Sequence, residues 1–90
     1  NLPYVPESDY QKFIENLKFE PKLALSDGTN DFILIKKFLS QLPQKLEKNG
    51  IAILEIDPKA ATLPAPKGFA KRKVKDIHKL ERFIILQSNL

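Results

Sequence analysis

Apolar residues recur along the middle of the chain at the spacing of an α-helix. Between residues 30 and 47 they lie three or four positions apart, at Ile35, Phe38, Leu39, Leu42 and Leu46. This spacing puts them on one helical face. We therefore predict a helix over 30–47 that begins at Asn30-Asp31 and is kinked or restarted at Pro43, because proline removes a backbone hydrogen bond. A left-handed stop is expected at Lys48-Asn49-Gly50.

Two apolar runs after this helix predict strands, IAILEI at 51–56 and RFIILQ at 82–87. An almost unbroken apolar run is typical of a strand covered on both faces, so 51–56 is expected at a central position of an α/β sheet. The more polar stretch 69–77 (FAKRKVKDI) predicts an edge strand, followed by a turn over Ile77–Glu81.

These elements predict an α/β protein with a three-stranded mixed sheet and one main helix. We expect the strand order 51–56, 82–88, 69–76, with the final strand antiparallel to its neighbours and the helix packed on one face. The 51–56 strand would then leave an apolar edge open, and open edges promote pairing with another copy.

The remaining segments are rich in residues that interrupt regular structure. Residues 1–29 contain three prolines and Gly28, and Ser8-Asp9 is a candidate cap for a short helix over 9–17. Three further prolines in 57–68 make a long helix there improbable. The chain is expected to be a single domain, in which 1–29 form a loop region and 30–90 form the helix and sheet.

Composition places the chain among ordinary globular proteins. It has 90 residues, of which 42% are hydrophobic and 29% charged. It has no apolar stretch near the roughly 20 residues that a membrane span needs. With no cysteine it has no disulfides and no thiolate metal sites. We expect a cytoplasmic protein without a membrane partner.

Basic residues are concentrated near the carboxyl end. The formal net charge is +4, and Lys67 to Lys79 contains six basic residues against Asp76 alone. This run indicates either a patch for RNA or an acidic partner, or a solvated strand face that protects an edge. We favour the solvated face, because no aromatic residues alternate with the basic ones as a stacking platform requires. A small basic binding module without catalysis is the alternative function.

The usual catalytic side chains show no convincing pattern. His78 is the only histidine and has no metal-ligand partners at suitable spacing, so we interpret it as a turn residue. Ser8 and Ser26 lack the histidine and acid needed for nucleophilic catalysis. The acidic residues Glu7 and Asp9 are interpreted as capping or solvated groups.

The opening NLPY resembles the (Asn/Asp)-Pro-Pro-Tyr motif of amino-methyltransferases that use S-adenosylmethionine. Further motifs follow in the order found in the HemK family of protein-(glutamine) methyltransferases, namely VPESDY, FEPKLAL at 19–25, Asp27-Gly28, LEI at 54–56, Gly68-Phe69, Lys75-Asp76 and Glu81-Arg82-Phe83. The resemblance covers essentially the whole chain. Departures from the family pattern are Leu2 in place of proline, Thr29, Phe32 and Asp57 in place of glycine, and a shortened segment 57–68.

The resemblance implies a Rossmann-like methyltransferase fold, of which this chain would be the C-terminal half, beginning at the Asn-x-Pro-Tyr motif. In that family the Gly-rich cofactor loop lies upstream, and this chain has no such loop. It implies methylation of a glutamine side chain in peptide chain release factors. A different amide or an exocyclic amine, such as a ribosomal protein glutamine or a nucleic-acid base, is the related alternative. We expect a fragment that is inactive alone, with S-adenosylmethionine as the cofactor of the parent enzyme.

The resemblance also assigns roles within the opening motif. The Asn1 side-chain oxygen and the Leu2 carbonyl would accept hydrogen bonds from the target amide, Pro3 would stiffen the loop, and Tyr4 would offer a planar face to the amide or the methyl group. Two acceptors would orient a poor nucleophile and favour localisation of its lone pair. Glu20 also matches a family position, but its residue type indicates no role.

Overall fold

A computed structural model describes all 90 residues. In chain order, its elements are the helices α1 (Glu7–Lys12), α2 (Ile14–Leu17) and α3 (Ile33–Lys45), followed by the strands β1 (Ile51–Glu55), β2 (Phe69–Lys75) and β3 (Glu81–Ser88). Short 3-10 helices lie at Lys22–Ala24 and Pro58–Ala60. None of the helices has the length and apolar character needed to traverse a membrane.

The three strands form one sheet in the order β1-β3-β2. Both pairings are antiparallel, with Ile84 of β3 facing Leu54 of β1 on one side and Lys73 of β2 on the other. The predicted strand order and the direction of the final strand are confirmed. The prediction of a mixed sheet is wrong, because β1 and β2 run in the same direction but β3 separates them, so no two neighbouring strands are parallel.

One face of the sheet packs against α3 and forms the core. The nine core residues are Ile35, Leu39 and Leu42 from α3, Leu54 and Ile56 at β1, Ala60 and Ala61 after it, and Ile84 and Leu86 from β3. The α3 residues recur at three-to-four spacing and the β3 residues at a spacing of two, as each element requires for a single buried face. The predicted packing of the helix on one face of the sheet is therefore confirmed.

The opposite face of the sheet is partly exposed to solvent. Ile51 is 56% exposed and Ile53 is 66% exposed. Their cross-strand partners on this face are Gln87 and Ile85. The prediction that residues 51–56 are covered on both faces is wrong, because their side chains alternate and only Ala52, Leu54 and Ile56 turn toward α3.

The strand β1 is also an edge strand, with an unguarded edge. The Gly50 carbonyl accepts from the Ser88 amide and the Ile56 amide donates to the Arg82 carbonyl. Antiparallel alternation between these bonds directs the peptide groups of Ile51, Ile53 and Glu55 away from β3, toward the open edge. The other edge, β2, is confirmed as the polar edge strand and carries a register shift between Val74 and Lys75, a feature that discourages further pairing.

The start of α3 is set by Asp27 rather than by Asn30-Asp31. Its carboxylate accepts from the Thr29 amide and hydroxyl, both at 2.8 Å, and from the Leu34 amide at 3.3 Å. Phe32 precedes the helix with φ 55 and ψ 45, a left-handed conformation that is unfavourable for an aromatic residue. The helix therefore begins at Ile33, later than predicted.

The end of α3 includes Pro43, which lies inside the last turn before Lys45. The predicted left-handed stop is found at Asn49, with φ 65. Gly50 is required for a different reason: a Cβ at this position would lie 2.7 Å from Leu46 Cγ.

The predicted helix over 9–17 is present as two pieces, α1 and α2, separated at Phe13. Neither Ser8 nor Asp9 caps it, because α1 already begins at Glu7, after Pro6. The Ser8 amide instead donates to Asn30 Oδ1 at 2.9 Å. Asn30 thus accepts a hydrogen bond from α1, although its position in the sequence predicts a role at the start of α3.

Lys71 connects the proline-rich segment 57–68 to the sheet through hydrogen bonds. Its ammonium group donates to the carbonyls of Ala61 at 2.8 Å and Leu63 at 2.6 Å. Burial, and then the positive charge of Lys73, lower the pKa of Lys71. Lys71, a member of the basic run, therefore holds the segment after β1 in place. This segment contains a single 3-10 turn and no longer helix.

The Asp27 hydrogen bonds give a prediction for stability. Burial alone would raise the pKa of Asp27, but the bonds from Thr29, Leu34 and Ile33 outweigh it and lower the pKa. The stabilisation is therefore complete above the unfolded value of about 3.9 and is lost as the pH falls through the lower folded value. Asp27→Ala should cost about 1 kcal/mol at neutral pH, measured by urea unfolding.

The matched control is Asp31→Ala, which removes an exposed carboxylate of the same loop and should have little effect. The difference between the wild type and Asp27→Ala should shrink as the pH falls below about 4 and through the lower pKa of folded Asp27. An equal loss for both variants at pH 7 would contradict the capping role.

The unguarded β1 edge gives a second prediction. The 90-residue chain should associate as its concentration rises, and Ile53→Lys should weaken this association, because a charged side chain on an edge strand opposes pairing. Ile77→Lys is the control, since Ile77 is also exposed but lies in the turn before β3. Light scattering that shows a single monomeric mass across the concentration series would count against the prediction.

Candidate functional site

The opening motif lies beside β1, where it forms one wall of an open cleft of about 460 Å³. Seven residues line this cleft: Asn1, Leu2, Phe38, Ile53, Leu54, Glu55 and Phe83. Most of these residues are apolar, and Glu55 supplies the carboxylate. The cleft therefore places the two proposed acceptor residues within one cavity formed by α3 and the sheet.

A smaller cleft of about 230 Å³ lies on the other side of the motif. Asn1 and Leu2 line it too, together with Tyr4, Val5, Ala24 and Leu25. The first two residues of the chain thus lie between the two apolar cavities and line both of them. Groups entering from either cavity can reach the same pair of residues.

The loop that carries the motif is anchored at its carboxyl side. The Val5 amide donates to the Leu25 carbonyl at 2.8 Å, and the Glu7 amide donates to the Thr29 carbonyl at 3.0 Å. The Leu2 and Tyr4 side chains pack against the core cluster. These contacts fix the loop to the 24–29 segment and to the sheet.

The Glu7 carboxylate reinforces this anchor from the first turn of α1. It accepts from Lys22 Nζ at 2.7 Å, from Gln11 Nε2 at 2.8 Å and from the buried Ser26 hydroxyl at 3.1 Å. The bonds from Lys22 and Gln11 lower the pKa of Glu7. Glu7 and Ser26 therefore stabilise the loop that carries the motif.

Two opposite charges flank the Tyr4 side chain. Its hydroxyl lies 3.5 Å from Glu55 Oε1, and the Arg82 guanidinium carbon lies 5.9 Å from the centre of its ring. Burial, followed by the negative charge of Glu55, raises the pKa of Tyr4, while the positive charge of Arg82 opposes the rise. Tyr4 is therefore an uncharged phenol at neutral pH.

The two proposed acceptors are free within the chain. Neither the Asn1 side-chain oxygen nor the Leu2 carbonyl takes part in a hydrogen bond of the protein. Asn1 is exposed and Leu2 is half-buried at the cleft wall. Both oxygen atoms remain available to an external donor.

Other residues singled out in the sequence lie elsewhere. Glu20 is exposed in the loop after α2 and lines neither cleft. His78 is exposed in the turn between β2 and β3, and no group of three or more potential metal ligands is present in the chain. Within the basic run, Lys73 pairs with Glu81 at 3.5 Å. Lys71 and Lys73 thus both contact groups of the chain itself. These contacts favour the interpretation of the basic run as a solvated edge strand rather than as an RNA-binding patch.

Sequence reasoning did not place Glu55, Phe38 or Phe83 at the site. The available signal for Glu55 was its isolation as the one carboxylate within the apolar run IAILEI. Phe38 and Phe83 carried no such signal, because an aromatic residue in a helix or strand is typical of a core. Phe38 reaches the cleft from α3, and Phe83 reaches it from β3, where it pairs with Glu55.

The glycines of the chain do not fit a dinucleotide-type or S-adenosylmethionine-type cradle. A Cβ at Gly28 would meet nothing within 4 Å, whereas those at Gly50 and Gly68 would meet Leu46 and Leu90 of the chain itself. In a cofactor loop, glycine allows the backbone to approach a ligand. The chain thus has no glycine loop of this kind for a methyl donor.

Comparison with curated proteins identifies relatives of one enzymatic class. The chain is 37% identical over 57 residues to the release factor glutamine methyltransferase of Bacillus cereus, an alignment that covers 62% of this chain and 20% of that protein. It is 31% identical over 94 residues to the release factor glutamine methyltransferase of Rhodopirellula baltica, covering 97% of this chain and 32% of the relative.

A third relative is the ribosomal protein uL3 glutamine methyltransferase of Francisella tularensis, 32% identical over 56 residues, which cover 62% of this chain and 18% of the relative. The chain thus spans between about a fifth and a third of the length of these curated relatives. No protein-family profile matches the chain. No solved structure matches it.

All three relatives are protein glutamine methyltransferases, and the chain is related to a part of such an enzyme. The resemblance to the HemK family of protein-(glutamine) methyltransferases, first indicated by NLPY and the motifs after it, is confirmed.

Proposed function

We propose that this chain is the substrate-facing part of an S-adenosylmethionine-dependent methyltransferase that methylates the side-chain nitrogen of a glutamine in a peptide chain release factor. The observation that carries the proposal is the position of Asn1 and Leu2, which form the wall of an apolar cleft and have free oxygen acceptors. The relationship to glutamine methyltransferases supports it.

The two acceptors match what an amide nitrogen requires in order to react. Its lone pair is delocalised into the adjacent carbonyl, so it is a weak nucleophile in free solution. The Asn1 oxygen and the Leu2 carbonyl would each accept one of its two hydrogens. This fixes the direction of the nitrogen, and it stabilises the positive charge that develops as a fourth bond to nitrogen forms.

The other cleft residues would define the surroundings of the amide. The rings of Phe38 and Phe83 and the side chain of Ile53 make the cleft apolar, which strengthens the hydrogen bonds formed inside it. The Glu55 carboxylate adds a negative charge near the nitrogen at the stage when that nitrogen becomes positive. Pro3 limits the motion of the loop between the two acceptors and Tyr4.

The methyl donor would be held by residues of a longer enzyme. The 90 residues orient the methyl acceptor but have no glycine cradle for the donor. We therefore propose that the chain by itself is inactive and that catalysis requires the cofactor-binding part of the enzyme.

A glutamine of a ribosomal protein is a second candidate substrate of the same site, supported by the relative that acts on uL3. The acceptor chemistry is identical, since both targets present a primary amide. Choice between the two proteins would depend on surfaces that recognise the rest of the substrate.

The first test measures transfer of labelled methyl groups from S-adenosylmethionine to a release factor and, separately, to ribosomal protein uL3. A longer enzyme that contains this segment should label the release factor, whereas the 90-residue chain should label neither. Labelling of uL3 alone would reassign the substrate, and no labelling of either protein by the longer enzyme would refute the proposal.

The role of Asn1 is tested in the longer enzyme. Asn1→Ala should reduce kcat by roughly 10²–10³-fold, as expected when one preorganised hydrogen-bonding group is removed from a transition state. Leu2→Ala keeps the main-chain carbonyl and should retain most of the activity. Asn16→Ala, on the exposed surface of α2, is the control for loss of an asparagine. An unchanged rate in Asn1→Ala would remove Asn1 from the mechanism.

A further inference from the structure

Arg82 links the sheet to the opening motif through three contacts. Its Nε donates to Asp76 Oδ2 at 3.3 Å, and its Nη1 donates to the Ile56 carbonyl at 3.3 Å. Its guanidinium carbon lies 5.9 Å from the centre of the Tyr4 ring, within the range of about 6 Å for a cation–π interaction. The Arg82 and Asp76 side chains are only 24% and 19% exposed, respectively, so solvent competes weakly for these contacts.

Asp76 is itself held in place by the turn before β3. Its Oδ1 accepts from the His78 amide at 2.8 Å and from the Leu80 amide at 3.1 Å. These bonds, with the Leu80 amide first, lower the pKa of Asp76. The carboxylate is therefore a fixed anion against which the guanidinium group is oriented.

The main chain of Arg82 is fixed at the same place. Its carbonyl accepts from the Ile56 amide at 2.8 Å, so the backbone and the side chain of Arg82 both bond to Ile56. A planar guanidinium can satisfy a carboxylate and a carbonyl along its edge and still present a face to an aromatic ring. Lysine has no such geometry.

We propose that Arg82 is a positioning residue of the glutamine methyltransferase site, which holds the Tyr4 ring against the sheet and thereby fixes the Asn1-Leu2 pair at the cleft wall. Glu55 completes the arrangement from the hydroxyl end of the ring, at 3.5 Å. Tyr4 is separated from the Leu2 carbonyl by Pro3 alone, and the fixed φ of proline transmits the position of the ring to the acceptors. The proposal rests on the proposed function for its catalytic meaning, but the ring contact can be tested without activity.

Tyr4 can be observed separately because the chain has only two tyrosines. In a Tyr10→Phe background, Tyr4 is the sole phenol, and its ionisation can be followed by ultraviolet absorbance during a pH titration of the 90-residue chain. The charged groups that influence it are Glu55, Arg82 and Asp57. Its midpoint in this background should lie above the ordinary tyrosine value of about 10.

Arg82→Gln distinguishes positioning from a purely electrostatic effect. Release of the ring into solvent would move the midpoint of Tyr4 down toward about 10, because the desolvation that raises it is lost. If the ring stayed in place, loss of a neighbouring positive charge would move the midpoint up. A downward shift supports the proposal, and an upward shift or no shift overturns it.

Arg82→Lys is an independent test of the positioning role, because it keeps the positive charge but removes the planar guanidinium group. Positioning by the guanidinium predicts a downward shift here as well, and an unchanged midpoint would contradict it. Arg72→Gln is the matched control, since Arg72 is the other arginine, lies exposed on β2 and forms no ion pair. Arg72→Gln should leave the Tyr4 midpoint where it is.

A general loss of structure is excluded by two measurements. Circular dichroism over the titration range should show the same fold for each variant. Fluorescence of Tyr10, measured in a Tyr4→Phe background, should be the same with and without the Arg82→Gln substitution, because Tyr10 is buried beside Lys22. A change in either signal would assign the Tyr4 shift to unfolding and would overturn the local interpretation.

Activity provides the final measurement in a longer enzyme that methylates a release factor. Arg82→Gln should lower kcat by up to about 10²-fold, the scale expected for misplacement of reacting groups by about 1 Å. A shifted Tyr4 midpoint with an inactive parent enzyme would refute the proposed function alone. A shifted midpoint with full activity in Arg82→Gln would refute the positioning role alone.

Discussion

The strand β3 bonds along both of its edges, to β1 on one side and to β2 on the other. Two of its residues, Ile84 and Leu86, are completely buried under α3. Burial of side chains of this size contributes about 1.5–3 kcal/mol each. Because β1 and β2 do not pair with each other, the sheet exists only through the pairing of its last strand, and the support for the cleft depends on it.

The same strand reaches the candidate site through its first residues. Phe83 lines the larger cleft, and Arg82 contacts the Tyr4 ring of the opening motif. Residues from the two ends of the chain thereby form one local structure. The loop that carries Asn1 and Leu2 is held by hydrogen bonds on its carboxyl side and by side-chain packing against the core, so its two free oxygens have a defined support.

The sheet is protected unequally. Its β2 edge carries several lysines and a register shift, whereas the β1 edge exposes Ile51 and Ile53 together with unpaired peptide groups. The unprotected edge is adjacent to the cleft, since Ile53 belongs to both. An apolar edge and face of this kind are normally covered within a complete domain. Their exposure is consistent with a chain that is related to only part of a larger enzyme.

The sequence by itself determined the main helix, the three strands, their order and the relationship to glutamine methyltransferases. Strong periodicity determines the type of an element, and the order of the motifs indicates the family. Tertiary structure alone decided that Asp27 starts α3, that Asn30 serves α1, and that Glu55, Phe38 and Phe83 meet at the cleft. The last two outcomes depend on contacts between residues far apart in the chain, and the first depends on the conformation of an irregular loop. Local patterns of hydrophobicity carry no information about either.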